Sequence, residues 1–244
     1  CYLIQGRVAP FYEATEIGMA EKHVASSISH AFNIPREDIL KDYSKSGDLG
    51  LTAEKFSNHK HSYKDLDIDQ IYKTLLEIAK FQGEGTVEKK IHSLSTLLKQ
   101  ISPPEAKHLV RIPLGISRLG IGDPTILDAF AKLKLGDKKK RNILEQAYNR
   151  VSDLGFIGKT LWEKGENGVK NLKVTVGTPL RSQLCERITK PESILEKYQG
   201  SVHVQLKYDG LRIQIHKQGS SVRLFSRNLE ETTHMFPDII EGVL

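Results

Sequence analysis

Apolar residues recur at helical spacing over the first two-thirds of the chain. Between Asp69 and Phe81, Ile71, Leu75, Ile78 and Ala79 share one face, and from Thr86 to Ile101 the same is true of Val87, Ile91, Leu94, Leu98 and Ile101. Helix starts are marked as well. Asn33 to Asp38 opens a helix running to Tyr43, and Ser102-Pro103-Pro104-Glu105 is a capping box with proline at the first helical position. Asp123-Pro124-Thr125 opens another, with Ile126, Leu127, Phe130 and Leu133 as its apolar side. The spacing predicts an all-α region over residues 1–171.

From Asn171 the period shortens to two. Leu172 to Gly177 is β-branched and alternating, and Lys190 to Tyr198 reads as one helix capped by Thr189. Val202, Val204 and Leu206 then alternate with His203, Gln205 and Lys207, and Leu211, Ile213 and Ile215 with Arg212, Gln214 and His216. Lys217 to Ser221 reads as a turn and Val222 to Phe225 as the returning strand. The expected organisation is therefore multidomain, α followed by α+β, with residues 172–244 carrying a small antiparallel sheet.

The helical region also echoes itself. Tyr43 to Gly50 resembles Tyr148 to Gly155 at an offset of 105 positions, and Ile17 to Glu21 resembles Leu119 to Asp123 at an offset of 102. Two copies at that spacing predict a duplicated helical half; a solenoid would need more copies of a shorter period.

Composition narrows the function classes. The formal net charge is +6, with a sequence pI near 9.1, which suits a polyanionic partner and also many ordinary proteins. Cys1 and Cys185 provide no disulfide framework or metal-site spacing, which favours a reducing, intracellular setting. No apolar run approaches a membrane span and no signal peptide opens the chain, so no membrane partner is expected. His59 and His61 read as solvated, His234 as an ordinary surface or core histidine, and no histidines form a metal constellation. A start at Cys1 and the short stretch between residue 172 and Leu244 predict a fragment with a truncated N-terminus.

The stretch with the most specific chemistry is Lys207-Tyr208-Asp209-Gly210-Leu211-Arg212. A lysine on a rigid strand, partly desolvated and near another cation, can lose its proton near neutral pH and act as a nucleophile. Asp209 would orient that lysine or a metal ion. Gly210 permits a backbone conformation or a close phosphate approach that a side chain would block. Arg212 can pair with phosphate or ribose oxygens. The bland alternative is a hairpin with solvated Lys and Arg. At residue frequencies near ~6%, Lys-x-Asp-Gly-x-Arg arises by chance in roughly a few chains of this length per thousand, which disfavours it.

Val204 to Arg212 resembles the first nucleotidyltransferase motif of the ATP-dependent DNA ligases of the archaeal and eukaryotic replicative type, and Leu224 to Glu230 resembles the segment that follows it. The likeness continues upstream in Ser46 to Gly50, Glu84-Gly85, Ser102 to Lys107 and Arg118 to Asp123, which resemble the family's helical DNA-binding domain. The resemblance implies that residues 1–171 are that domain and residues 172–244 the first part of an adenylation domain. It implies that Lys207 attacks the α-phosphate of ATP, that Gln205, Arg212 and Arg227 hold the nucleotide, and that Asp209 and Gly210 support them. The family usually carries Glu at the position of Gln205, so the adenine amino group would here be met by an uncharged acceptor.

It further implies nicked duplex DNA as substrate, gripped across the minor groove. Mg²⁺ would be a cofactor whose acidic ligands follow Leu244, leaving no metal ligand within these residues. A monomer acting in replication, repair and recombination is implied, in cytoplasm or nucleoid (the nucleus in a eukaryote), with a sliding clamp as a further partner the family admits. Independently of the family, glycines at helix connections expose backbone N–H groups to phosphate oxygens. Gly47, Gly50, Arg118, Gly120 and Gly122 are candidates on that ground. Lys138, Lys139 and Lys140 add a cluster that alone would read as a solvated helix terminus. The rival classes are an RNA ligase or capping-type nucleotidyltransferase, and a non-catalytic DNA-binding module.

Overall fold

The computed structural model describes residues 1–57, 63–183 and 186–244; His59, His61 and Cys185 lie outside them. The helical region has two hydrophobic cores. The first is built by α1 (Glu21–Phe32), α2 (Arg36–Ser46), α3 (Leu49–Phe56), α4 (Ile68–Lys80), α5 (Thr86–Leu98) and α6 (Pro103–Arg111), around Ile28, Ile39, Leu75, Ile78, Leu94 and Leu98. The second belongs to α7 (Asp123–Leu135), α8 (Arg141–Val151) and α9 (Leu154–Lys170), around Leu127, Leu144, Ile157 and Leu161. Burying apolar stripes on two separate helix sets supplies most of the driving force in each half. Among the described residues no helix is long and apolar enough to cross a membrane.

Local signals set the helix boundaries. Asp67 and Gln70 close a capping box at the start of α4, and Glu105 accepts the Ser102 N–H at 2.7 Å at the start of α6. The sequence placed the second of these and missed the first.

The two echoes fold alike. In the first, α2 ends at Gly47 in the left-handed region (φ 64°), and Asp48 caps α3 by accepting the Gly50 N–H at 2.8 Å. In the second, α8 ends at Ser152 (φ 49°), and Asp153 caps α9 by accepting the Phe156 N–H at 3.0 Å. Tyr43 donates to Glu21 at the start of α1, and Tyr148 donates to Asp123 at the start of α7, both at 2.6 Å. These carboxylates are the last residues of the second pair of echoing strings. The duplicated unit is α1–α2–α3 and α7–α8–α9.

After α9 the structure departs from the expected pattern. Leu172 to Gly177 forms no strand, and α10 (Pro191–Lys197) starts on proline after Lys190, without a side-chain cap from Thr189. β1 (Ile213–Gln218) and β2 (Ser221–Ser226) form an antiparallel hairpin, with Gln214 opposite Phe225 and His216 opposite Arg223. Its two-residue turn has Gly219 at φ 60°. A short α11 (Pro237–Val243) follows.

The strand expected over Val202–Lys207 is absent, which corrects the picture of Lys207 and Arg212 on the face of a sheet. Val204 is 87% and Leu206 79% exposed, and no strand among the described residues pairs with them. Alternation gives a segment strand potential; a ladder partner and a covered face make the strand.

Gly50 lies where α3 crosses α6. A Cβ there would stand 2.6 Å from the Lys107 carbonyl oxygen and 2.7 Å from Arg111 Nε. Gly50→Ala is therefore expected to lower unfolding stability by about 1–3 kcal/mol, the usual cost of overpacking. A urea midpoint equal to wild type would contradict this.

Candidate nucleotide and nucleic-acid sites

Lys207 sits in irregular chain leading into β1. Gln205, Lys207, Asp209 and Arg212 are all exposed, and Lys207 and Arg212 have no hydrogen-bond or ion-pair partner among the described residues. The rigid strand that would desolvate the lysine is not formed. Gly210 makes the bend at φ 146°, a conformation that favours glycine, with open space around it, so its role here is conformational. Two free cations flanking one carboxylate can still receive a polyphosphate.

Arg227, on the turn after β2, is not brought to that stretch. It lines a cleft of about 590 Å³ with Arg7, Arg181, Gln5, Gly122 and Tyr148, where the N-terminal segment and the start of α7 meet the hairpin. The Arg7 guanidinium stacks on Phe11 at 4.0 Å, and burial pulls its pKa down against the opposing pull of Asp123 and Glu16. Arg181 stacks on Tyr148 at 4.3 Å and approaches Asp123 to 3.5 Å. The cleft thus presents three arginines against one acidic residue. Arg7 and Arg181 carried no sequence signal, because they meet through contacts far apart along the chain.

A second cationic cluster forms in the helical region. Asp48 is buried, paired with Arg111 and approached by Arg118 at 3.7 Å. Burial alone would raise its pKa; Arg111, the Gly50 N–H and Arg118 together hold it below the usual carboxylate value. Arg118 is itself left-handed (φ 52°) and donates to the Gly47 carbonyl at 2.6 Å, leaving its guanidinium half-exposed.

The glycine candidates divide. Gly47, Gly120 and Gly122 are exposed, while Gly50 is buried with its N–H given to Asp48, which corrects its reading as backbone open to phosphate. Lys138, Lys139 and Lys140 form an exposed 3₁₀ turn before α8, and Lys140 pairs with Glu166 at 3.3 Å.

The polar face of β1 is not bare. His216 Nδ1 accepts the Gly177 N–H at 2.9 Å, and its ring packs edge-on against Phe225 at 5.0 Å. Tyr12 also packs edge-on against Phe225, at 6.5 Å. Burial, and then the neighbouring Arg223, push the His216 pKa below its ordinary value.

Comparison with known proteins gives the family. Residues 1–131 match the family model described as DNA ligase N terminus, and residues 182–244 the one described as ATP dependent DNA ligase domain. A probable DNA ligase of Dictyoglomus turgidum is 46% identical over 243 residues, covering 100% of this chain and 41% of that protein. DNA ligase 2 of Thermofilum pendens is 42% identical over 99% of this chain and 42% of its own length. The DNA ligase of Sulfolobus acidocaldarius is 41% identical over 99% and 42%. The chain thus spans about two-fifths of the length of these relatives.

The depressed His216 pKa carries a sign. An unfolded histidine titrates near ~6.5, so the neutral ring's contribution is intact above that pH and is lost as pH falls towards the lower folded value. Amide exchange, corrected for intrinsic rates, should show the Gly177 N–H better protected at about pH 7.5 than at about pH 5.5. Equal protection would contradict this coupling between His216 protonation and the Gly177 contact.

Proposed function

The chain belongs to the DNA ligase family, and on that premise we propose that it supplies the DNA-gripping and lysine-adenylating parts of an ATP-dependent ligase that seals nicks in duplex DNA. One observation supports this above the rest. Lys207-Tyr208-Asp209-Gly210-Leu211-Arg212 lies inside the region matching the ATP-dependent ligase domain, with its lysine and arginine exposed and unpaired among the described residues. We place the boundary between the helical DNA-binding part and the adenylation part near residue 171.

Lys207 Nζ attacks the α-phosphorus of ATP; an N–P bond forms, the bond to the β-phosphate oxygen breaks, and pyrophosphate leaves. The adenylate then passes to the 5′-phosphate of the nick, and the 3′-hydroxyl displaces AMP. Arg212 neutralises the charge that builds on the phosphoryl oxygens, and Gln205 offers its carbonyl to the adenine amino group. Asp209, two residues after the lysine, is the carboxylate available to orient it. Arg227 joins them only if the nucleotide phosphates or the DNA strand reach the seam cleft that it lines. The family's use of Mg²⁺ finds no counterpart here: among the described residues no three His, Cys, Asp or Glu side chains converge, so the ion's ligands are not assigned to them.

On the helical side, Gly47, Arg118, Gly120, Gly122 and Lys138 to Lys140 are the groups we assign to the duplex backbone. Phosphate contact of this kind positions a protein on DNA without reading sequence.

The defining experiment uses the full-length enzyme with α-labelled ATP and Mg²⁺. Wild type should become labelled and seal a nicked duplex, and Lys207→Ala should lose both activities. Label without sealing would shift the assignment to RNA ligation or capping. Bound nicked DNA with no label would leave a binding module.

Arg118→Ala should weaken nicked-duplex binding by a similar factor on every sequence and flatten the salt dependence by about one ion. A change confined to particular sequences would argue against phosphate contact.

A further inference from the structure

Five residues after α9, Gly177 to Arg181, run between the helical region and the hairpin and are gripped from both. On the hairpin side, Gln214 makes a two-point pairing with Leu180: Oε1 accepts the Leu180 N–H at 2.8 Å and Nε2 donates to its carbonyl at 2.6 Å. Two residues along β1, His216 Nδ1 takes the Gly177 N–H, and from the paired position on β2 Arg223 donates to the Gly177 carbonyl at 3.1 Å. Glu231 holds that arginine through two contacts, at 2.8 and 3.2 Å.

On the helical side, Ser152 donates to the Pro179 carbonyl at 2.6 Å. The Arg181 N–H goes to the Asn149 carbonyl at 3.0 Å, and its guanidinium donates to Tyr148 at 2.8 Å. Hairpin and helices thus hold the strap at different residues. Gln214 and His216 read its backbone as an adjoining strand would.

We propose that Gln214 and His216 are positioning residues: by holding the strap Gly177–Arg181 they fix the hairpin, and with it the preceding Lys207 and Arg212, against the helical half that grips the duplex. This rests on the ligase reading. Arg212 directly precedes Ile213, so the direction of β1 sets where the nucleophile's segment departs. Neither residue touches the reacting atoms. Self-adenylation needs no DNA. Transfer to the nick needs the lysine presented to DNA held by the other body.

The prediction is a split between two reactions of the full-length enzyme. His216→Phe keeps a ring against Phe225 and removes the acceptor; Gln214→Leu removes both Leu180 bonds. Each should self-adenylate within about twofold of wild type, yet seal nicks about tenfold more slowly at saturating DNA, with nicked-duplex affinity unchanged. His216→Asn, which keeps an acceptor close to the Nδ1 position, should recover most of the sealing rate. Ser152→Ala tests the same strap from the helical side without altering the hairpin, and should show the same split.

Parallel loss of self-adenylation and sealing, in His216→Phe and Ser152→Ala alike, would mean that these residues merely support the local fold, and would overturn the proposal. So would unchanged sealing in His216→Phe, Gln214→Leu and Ser152→Ala. A wild-type enzyme that never becomes adenylated would remove the ligase reading itself, a failure distinguishable from the other two.

Discussion

A carboxylate at the first step of a helix governs the helical region. Asp48 meets the otherwise orphaned N–H at the start of α3, but it is buried, and a buried carboxylate without a cation is strongly destabilising. Arg111 supplies that cation, which draws α6 across α3 so closely that only glycine fits at position 50. Arg118 reaches the same carboxylate from the connector into the second half. Asp153 repeats the device with a neutral partner, accepting the Tyr2 hydroxyl at 2.6 Å and so tying the N-terminal segment to α9. One helix-capping solution, used twice, sets both the shape of each half and the path of the chain between them.

What the sequence disclosed follows from how far each signal reaches. Helices α4 to α7 were legible to within a few residues, because apolar spacing and caps act over a turn or two. The duplication was legible because both copies kept the tyrosine, the aspartate and the glycine that follows it. Val202 to Lys207 misled, since alternation does not reveal whether a neighbouring strand is present. Gln214 and His216 misled in another way. A polar face written along a strand reads the same whether it meets water or another segment's backbone, and their partners lie 34 and 39 positions away.

The candidate site was legible as a motif and not as a constellation. Lys207 and Arg212 could be read from their spacing around Asp209-Gly210. Arg227, two residues beyond Phe225, faces Arg7 and Arg181 across the seam, a grouping no local pattern announces. A cationic wall shared by the hairpin and the helices suits a polyanion that runs from one to the other, because each body then neutralises part of the same charge.

The strap has a consequence for how such a chain diverges. Gln214, His216, Arg223 and Ser152 recognise backbone N–H and carbonyl groups, so the strap's side chains other than that of Arg181, which donates to Tyr148, are released from selection for the joint. Leu180, over a third exposed, is free to drift. Gly177 is not, because its φ of 90° suits glycine. Divergent copies should therefore keep the readers, Arg181 and that single glycine while letting the letters between them change, a pattern easily mistaken for an unconstrained linker.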